Sequence, residues 1–155
     1  MIVFEYRVSP AWGCPDIQKE TTFVRVTDDT DNNVITGFYG KEYLYTISGD
    51  DVRRIIRIID EYPEIFDIPK DLEPSGVLDG YEYSFRFSNQ KRSNEFSGFN
   101  ILEYGRRPRK NATLALRVAR RIKEEVLLDN GIRTTIPSRL QNWPKYRKPS
   151  NIIKI

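Results

Sequence analysis

The sequence predicts an α+β fold: an antiparallel sheet of about six strands, in the order β-β-β-β-α-β-β-α, with two helices packed on one face and an irregular C-terminal tail. Three observations carry this. Apolar residues alternate with polar ones at the start of the chain and again over residues 81–87. Two stretches, 52–59 and 114–126, switch to the i, i+3, i+4 spacing of a helix. The last 25 residues follow neither period.

Taken in order, Ile2, Phe4, Tyr6 and Val8 share one face of a half-buried strand. Pro10, Gly13 and Pro15 interrupt regular structure. Residues 21–27 are rich in β-branched side chains and form a second strand. The run of short polar residues at 28–33 is a turn, since such side chains bond their own backbone. Residues 34–39 and 43–47 give strands three and four, joined at Gly40-Lys41, so 21–47 reads as an antiparallel meander. Ser48 opens a helix as its cap, with Asp51 expected to reach back and complete a capping box. Val52, Ile55, Ile56 and Ile59 form its buried stripe, and Pro63 ends it. Tyr81, Tyr83, Phe85 and Phe87 lie on one face of a fifth strand. Asn89-Gln90 turns the chain into a sixth, expected over 96–104, with Gly98 marking a bulge or a close approach. Asn111 is the expected cap of a second helix. Leu114 or Ala115, Val118, Ala119, Ile122 and Val126 line its apolar side, and Asn130-Gly131 stops it. The expected core residues are Val52, Ile55, Ile56, Ile59, Tyr83, Phe85, Val118 and Ile122.

At 155 residues the chain suits one α+β domain over 1–131 and an extension over 132–155. That extension contains no Asp or Glu and has prolines at 137, 144 and 149. It is too small to order itself alone against about 1–2 kcal/mol of backbone entropy per residue. Docking through Trp143 onto the body, or onto another copy, is the expectation.

Residues 1–75 hold 8 basic and 15 acidic side chains; residues 76–155 hold 17 and 7. Such asymmetry either neutralises itself across one fold or marks a charged partner. No segment approaches the roughly 20 apolar residues of a membrane span. The start lacks a basic region before its apolar stretch, so no signal peptide is read. One cysteine allows no intrachain disulfide, which fits a cytoplasmic home.

Histidine is absent, which excludes Ser-His-Asp and Cys-His mechanisms and the usual imidazole metal sites. Phosphate-loop and dinucleotide fingerprints are missing, and no cofactor or metal is implied. Cys14 has no base to activate it and an acidic neighbour in Asp16, so it is read as a packing residue. Asp28, Asp29 and Asp31 form a solvated turn without the glycine and distal glutamate of a calcium loop.

The positive feature is the basic loop Arg106, Arg107, Arg109 and Lys110 at a predicted helix start, continued by Arg117 and Arg121 on the helix. Helix N-termini favour anions, so four cations there either recruit one or pair with the acidic half. Trp143, Tyr146, Arg147 and Lys148 complete this candidate anion- or partner-binding set. Three functions follow. The first is a non-catalytic intracellular module that recognises another protein, of accessory or inhibitor type, or that assembles with itself. Tyr, Trp and Arg are the residues enriched at interface hot spots. The second is a nucleic-acid binder using the basic loop, the second helix and the tail, with aromatic rings for stacking. The third is a cofactor-independent enzyme, for which nothing singles out a catalytic group.

Overall fold

The computed structural model of the chain describes residues 1–10, 20–72, 80–101 and 109–138. Six strands form one antiparallel sheet: β1 (Ile2–Pro10), β2 (Thr22–Thr27), β3 (Asn33–Phe38), β4 (Lys41–Thr46), β5 (Tyr81–Ser88) and β6 (Ser93–Phe99). The spatial order is β4-β3-β2-β1-β5-β6. β1 therefore lies inside the sheet, pairing with β2 on one side and with β5 on the other. Helix α1 (Gly49–Asp60) leads into a 3-10 turn (Pro63–Asp67), and α2 (Lys110–Ile122) continues through a π turn (Lys123–Leu127) and a short 3-10 turn (Leu128–Asn130).

The expected architecture holds. α1 packs over β1 and β5 and against α2, so both helices cover one face of the sheet. Between them sit Phe4, Tyr6, Val24, Val26, Val34, Phe85, Phe87 and Phe96 from the strands. The aromatic part is continuous. Ring centroids are 5.5 Å apart for Phe4–Phe87, 5.4 Å for Tyr6–Phe85 and 5.4 Å for Phe85–Phe96. Such pairs add to the area they bury, by about 0.5–1.5 kcal/mol each. Burial raises the Tyr6 phenol far above its ordinary range.

Several local expectations shift. Ile56 is only half-buried, whereas Ile58 is buried beside Val52, Ile55 and Ile59. At 100° per residue the buried arc centres on Ile55, which leaves Ile56 at its margin. Tyr83 likewise packs at the edge of the core, while Phe85 lies within it. Ser48 caps α1, its Oγ accepting from Asp51 N at 3.0 Å, and the Asp51 carboxylate accepts from Asn130 Nδ2 at 3.0 Å. That bond ties the start of α1 to the end of the second helical segment. α2 is capped at Arg109, not Asn111, with no side chain accepting from its first amides. Gly131 does end the helical run, in the left-handed conformation at φ 71°.

Strand six runs over Ser93–Phe99 where 96–104 was expected. Asn89 accepts from both Lys91 N and Arg92 N, so the hairpin closes early and β6 starts sooner. Asn100, at φ 53°, then ends it. Gly98 answers to a close approach: a Cβ there would lie 2.6 Å from Leu72 Cβ. Beyond Gly131, Ile132 and Ile136 are buried in the same core. Lys123 Nζ donates to Ile136 O at 2.6 Å and to Ser138 Oγ at 2.8 Å, and burial lowers its pKa. Trp12, Cys14, Arg106, Arg107, Trp143, Tyr146, Arg147 and Lys148 lie outside the described residues. Among the described residues no helix is long and apolar enough to cross a membrane.

The helix register is checked by an alanine pair. Ile55→Ala, at a fully buried position, should cost about 2–5 kcal/mol of stability in urea unfolding, and Ile56→Ala distinctly less. Equal losses would contradict the assigned register.

Candidate functional site

The expected basic cluster divides into two parts. Arg121 is held within the fold. Its guanidinium donates to Glu125 at 2.6 Å, to Glu61 at 2.8 Å and to the Tyr62 hydroxyl at 3.2 Å. These bonds raise the Arg121 pKa and hold the Glu125 carboxyl below the usual range. Arg121 is thus a strut between the end of α1 and the π turn. Lys110 and Arg117 are exposed on α2. They face a groove of about 590 Å³ whose other wall is Glu64, Asp67 and Ile68 from the 3-10 turn, with Leu114 between. Arg109 sits at the helix cap. The groove has both signs of charge around an apolar strip, which departs from the uniform basic surface a phosphate backbone requires.

The face of the sheet turned away from the helices carries polar side chains by alternation. Arg25, Glu5, Arg86 and Glu95 occupy successive strands in register. Arg25 Nε donates to Glu5 at 2.9 Å, and Arg86 pairs with Glu95. Beside this row the Phe23 ring lies over Gly37, where a Cβ would stand 2.2 Å from the ring. Arg7 and Arg25 lie 4.7 and 5.1 Å from the Phe23 centroid. Opposite charges and a cation–π stack thus occupy this face internally.

Among the described residues the β4 end leaves backbone groups unpaired and large side chains exposed. β6, the other edge strand, is covered: Leu72 N donates to Ser97 O at 2.7 Å and Ser97 N to Lys70 O at 2.9 Å. Among the described residues nothing pairs with the outer edge of β4. Yet beyond Lys41 and Glu42, β4 carries large apolar groups on both faces. Tyr43 is 46% exposed and Leu44 67% exposed. The β3–β4 turn places Tyr39 and Gly40 at φ 52° and 88°, the pair of positive φ values of a type I′ hairpin. The turn is one residue earlier than the Gly40-Lys41 junction read from the sequence. A tyrosine in that conformation costs about 1–2 kcal/mol relative to glycine, and here its ring projects at 67% exposure. Phe38, Tyr39, Tyr43 and Tyr45 line a shallow recess of about 560 Å³, closed by Arg133, Thr134 and Thr135. Sequence reading missed this surface because a strand's place in the sheet is not local. The signal was present in Tyr43-Leu44-Tyr45, three large residues in a row that no single buried face can hide.

Among the described residues no three His, Cys, Asp or Glu side chains gather as a metal would need. No family model matches the chain, and no curated protein matches it significantly. The fold and surface define an α+β protein whose sheet, among the described residues, is paired by a returning segment at the β6 edge and is unpaired and aromatic at the β4 edge.

The Arg121 strut has a pH signature. Because the Glu125 pKa lies below its ordinary 4.5 in the folded chain, its stabilisation is present above that value and lost as pH falls through the lowered one. Arg121→Gln should therefore lower the unfolding midpoint at neutral pH and matter less in acid. A loss independent of pH would contradict the ion-pair role.

Proposed function

We propose that the chain is a non-catalytic module that recognises another polypeptide through the β4 edge and the aromatic recess beside it, in an accessory or inhibitor-type role. The observation that carries this is the open edge itself. Globular chains blunt free edges with charge, proline, bulges or a covering segment. β6 has its covering segment, whereas β4 carries charge only at Lys41 and Glu42 and, among the described residues, has no segment paired on its outer side along Tyr43, Leu44 and Tyr45. An extended segment added there gains main-chain hydrogen bonds, and alternate side chains meet the recess. Tyrosine supplies large contact area at small entropic cost. A chain without histidine and with a single cysteine also suits a binding role in the cytoplasm.

The described basic residues favour a protein over nucleic acid. Lys110 and Arg117 share their groove with Glu64 and with Asp67, which itself pairs with Arg92, and Arg121 is engaged by two carboxylates. A nucleic-acid ligand would need these cations uncompensated and would bind with a steep dependence on salt.

Tyr39 separates function from stability. Tyr39→Asn places a residue suited to the left-handed turn, so the unfolding midpoint should hold or rise while partner retention falls. Retention is compared on immobilised chain with and without nuclease, using wild type, Tyr39→Asn and Tyr43→Ser. A polypeptide kept by wild type, lost by both variants and indifferent to nuclease supports the proposal. Retention unaffected by either substitution, or abolished by nuclease, overturns it.

A further inference from the structure

We infer that the polypeptide fitting the β4 edge is a second copy of this chain, joined antiparallel, β4 to β4, about a two-fold axis at Leu44. The inference rests on the edge-recognition reading and specifies its occupant.

The backbone decides which groups are on offer. A two-residue type I′ turn makes Phe38 and Lys41 a hydrogen-bonded pair. At the far end of the hairpin Ile47 N donates to Asn32 O at 3.1 Å, in phase with that pair. Lys41, Tyr43 and Tyr45 therefore turn their N–H and C=O groups toward β3. Glu42, Leu44 and Thr46 turn theirs outward.

Two copies can exchange those outward groups on matching faces with the axis at any residue from 42 to 46, and only Leu44 on the axis pairs all three of Glu42, Leu44 and Thr46. With Leu44 on the axis, Leu44 meets its counterpart, Glu42 meets Thr46 of the second copy, and Tyr43 meets Tyr45. The Tyr pairs fall at non-hydrogen-bonded positions, where side chains approach most closely. With Tyr43 on the axis, each Glu42 would face a Leu44 instead, setting a carboxylate against an apolar side chain. The symmetric Tyr-Leu-Tyr order around Leu44 selects the Leu44 register. The charges also agree, because neither Lys41 nor Glu42 is placed opposite its own kind. Two-fold pairing of this sort is self-complementary and closed, so it ends at a dimer. It converts two six-stranded sheets into one continuous sheet and covers Leu44, Tyr43 and the two recesses together.

Sedimentation across a dilution series of the full chain tests this. A monomer–dimer equilibrium is expected. Leu44→Arg, at an exposed position that does not disturb the core, should raise the dissociation constant about a hundredfold or more by setting two cations on the axis. Tyr81→Arg, also at an exposed position but four strands away, should leave it unchanged. Register is read separately in a Cys14→Ser background. Under air oxidation, Tyr43→Cys mixed with Tyr45→Cys should form a disulfide dimer, and neither variant alone should. Cross-linking of Tyr43→Cys with itself overturns the Leu44 axis. A dimer insensitive to Leu44→Arg overturns the β4 interface. A chain that stays monomeric throughout overturns self-pairing; if it still retains another protein through Tyr39 and Tyr43, the recognition reading survives without it.

Discussion

β1 is the strand on which the rest of the molecule depends. It pairs along its length with β2 on one side and β5 on the other, so it joins the first meander to the later hairpin. Its Phe4 and Tyr6 meet Phe87 and Phe85 across one of those pairings, and Phe96 extends the stack to the next strand. The helices are seated by this aromatic floor: α1 offers Val52, Ile55, Ile58 and Ile59 to it, and α2 offers Ala115, Val118, Ala119 and Ile122. Strand alternation fixes the consequence for the other face. With every large ring of β1 and β5 turned to the helices, Glu5, Arg7, Ser84 and Arg86 must face outward, where they pair across strands.

A sheet centred on β1 has two ends, and they are treated differently. At β6 the chain returns, and Gly98 leaves room for Leu72 to close the edge. At β4 the hairpin ends in a strained tyrosine and a strand with large apolar groups on both faces. Strain and exposure coincide there, and the proposed recognition role draws on that coincidence. The electrostatics point the same way. Arg121 is used inside the fold and the α2 groove carries both charges, so the described cations do not form one field.

Where order is local, the sequence was readable. Alternation in Ile2-Phe4-Tyr6 and Tyr83-Phe85-Phe87, the Ser48 cap and the Gly131 stop each depend on neighbours within a few residues. The failures were of two kinds. Ile56 and Ile58 differ by the rotation of a whole helix, which the sheet beneath decides. The Asn111 cap lost to Arg109 although asparagine is the better cap, so intrinsic preference gave way to tertiary placement. The candidate surface was the least legible part. Charged residues are the conspicuous feature of the sequence, whereas the β4 edge stands out only once the strand order shows that β4 is terminal and that β6 has a segment paired to it. The Arg106–Arg107 and Trp143–Lys148 parts of the basic set fall outside the described residues.

Amide hydrogen exchange resolved by residue, run on dilute and on concentrated protein, tests the open edge most directly. Ser97 provides the internal reference, being bonded to Lys70 within the chain, and should be protected at both concentrations. The amides of Glu42, Leu44 and Thr46 should exchange freely in the dilute sample and slow in the concentrated one, as a second copy pairs with them. Protection of those three amides at every concentration would mean that the chain closes its own edge, and rapid exchange at every concentration would mean that no copy docks there; either result contradicts an edge held open for a second copy.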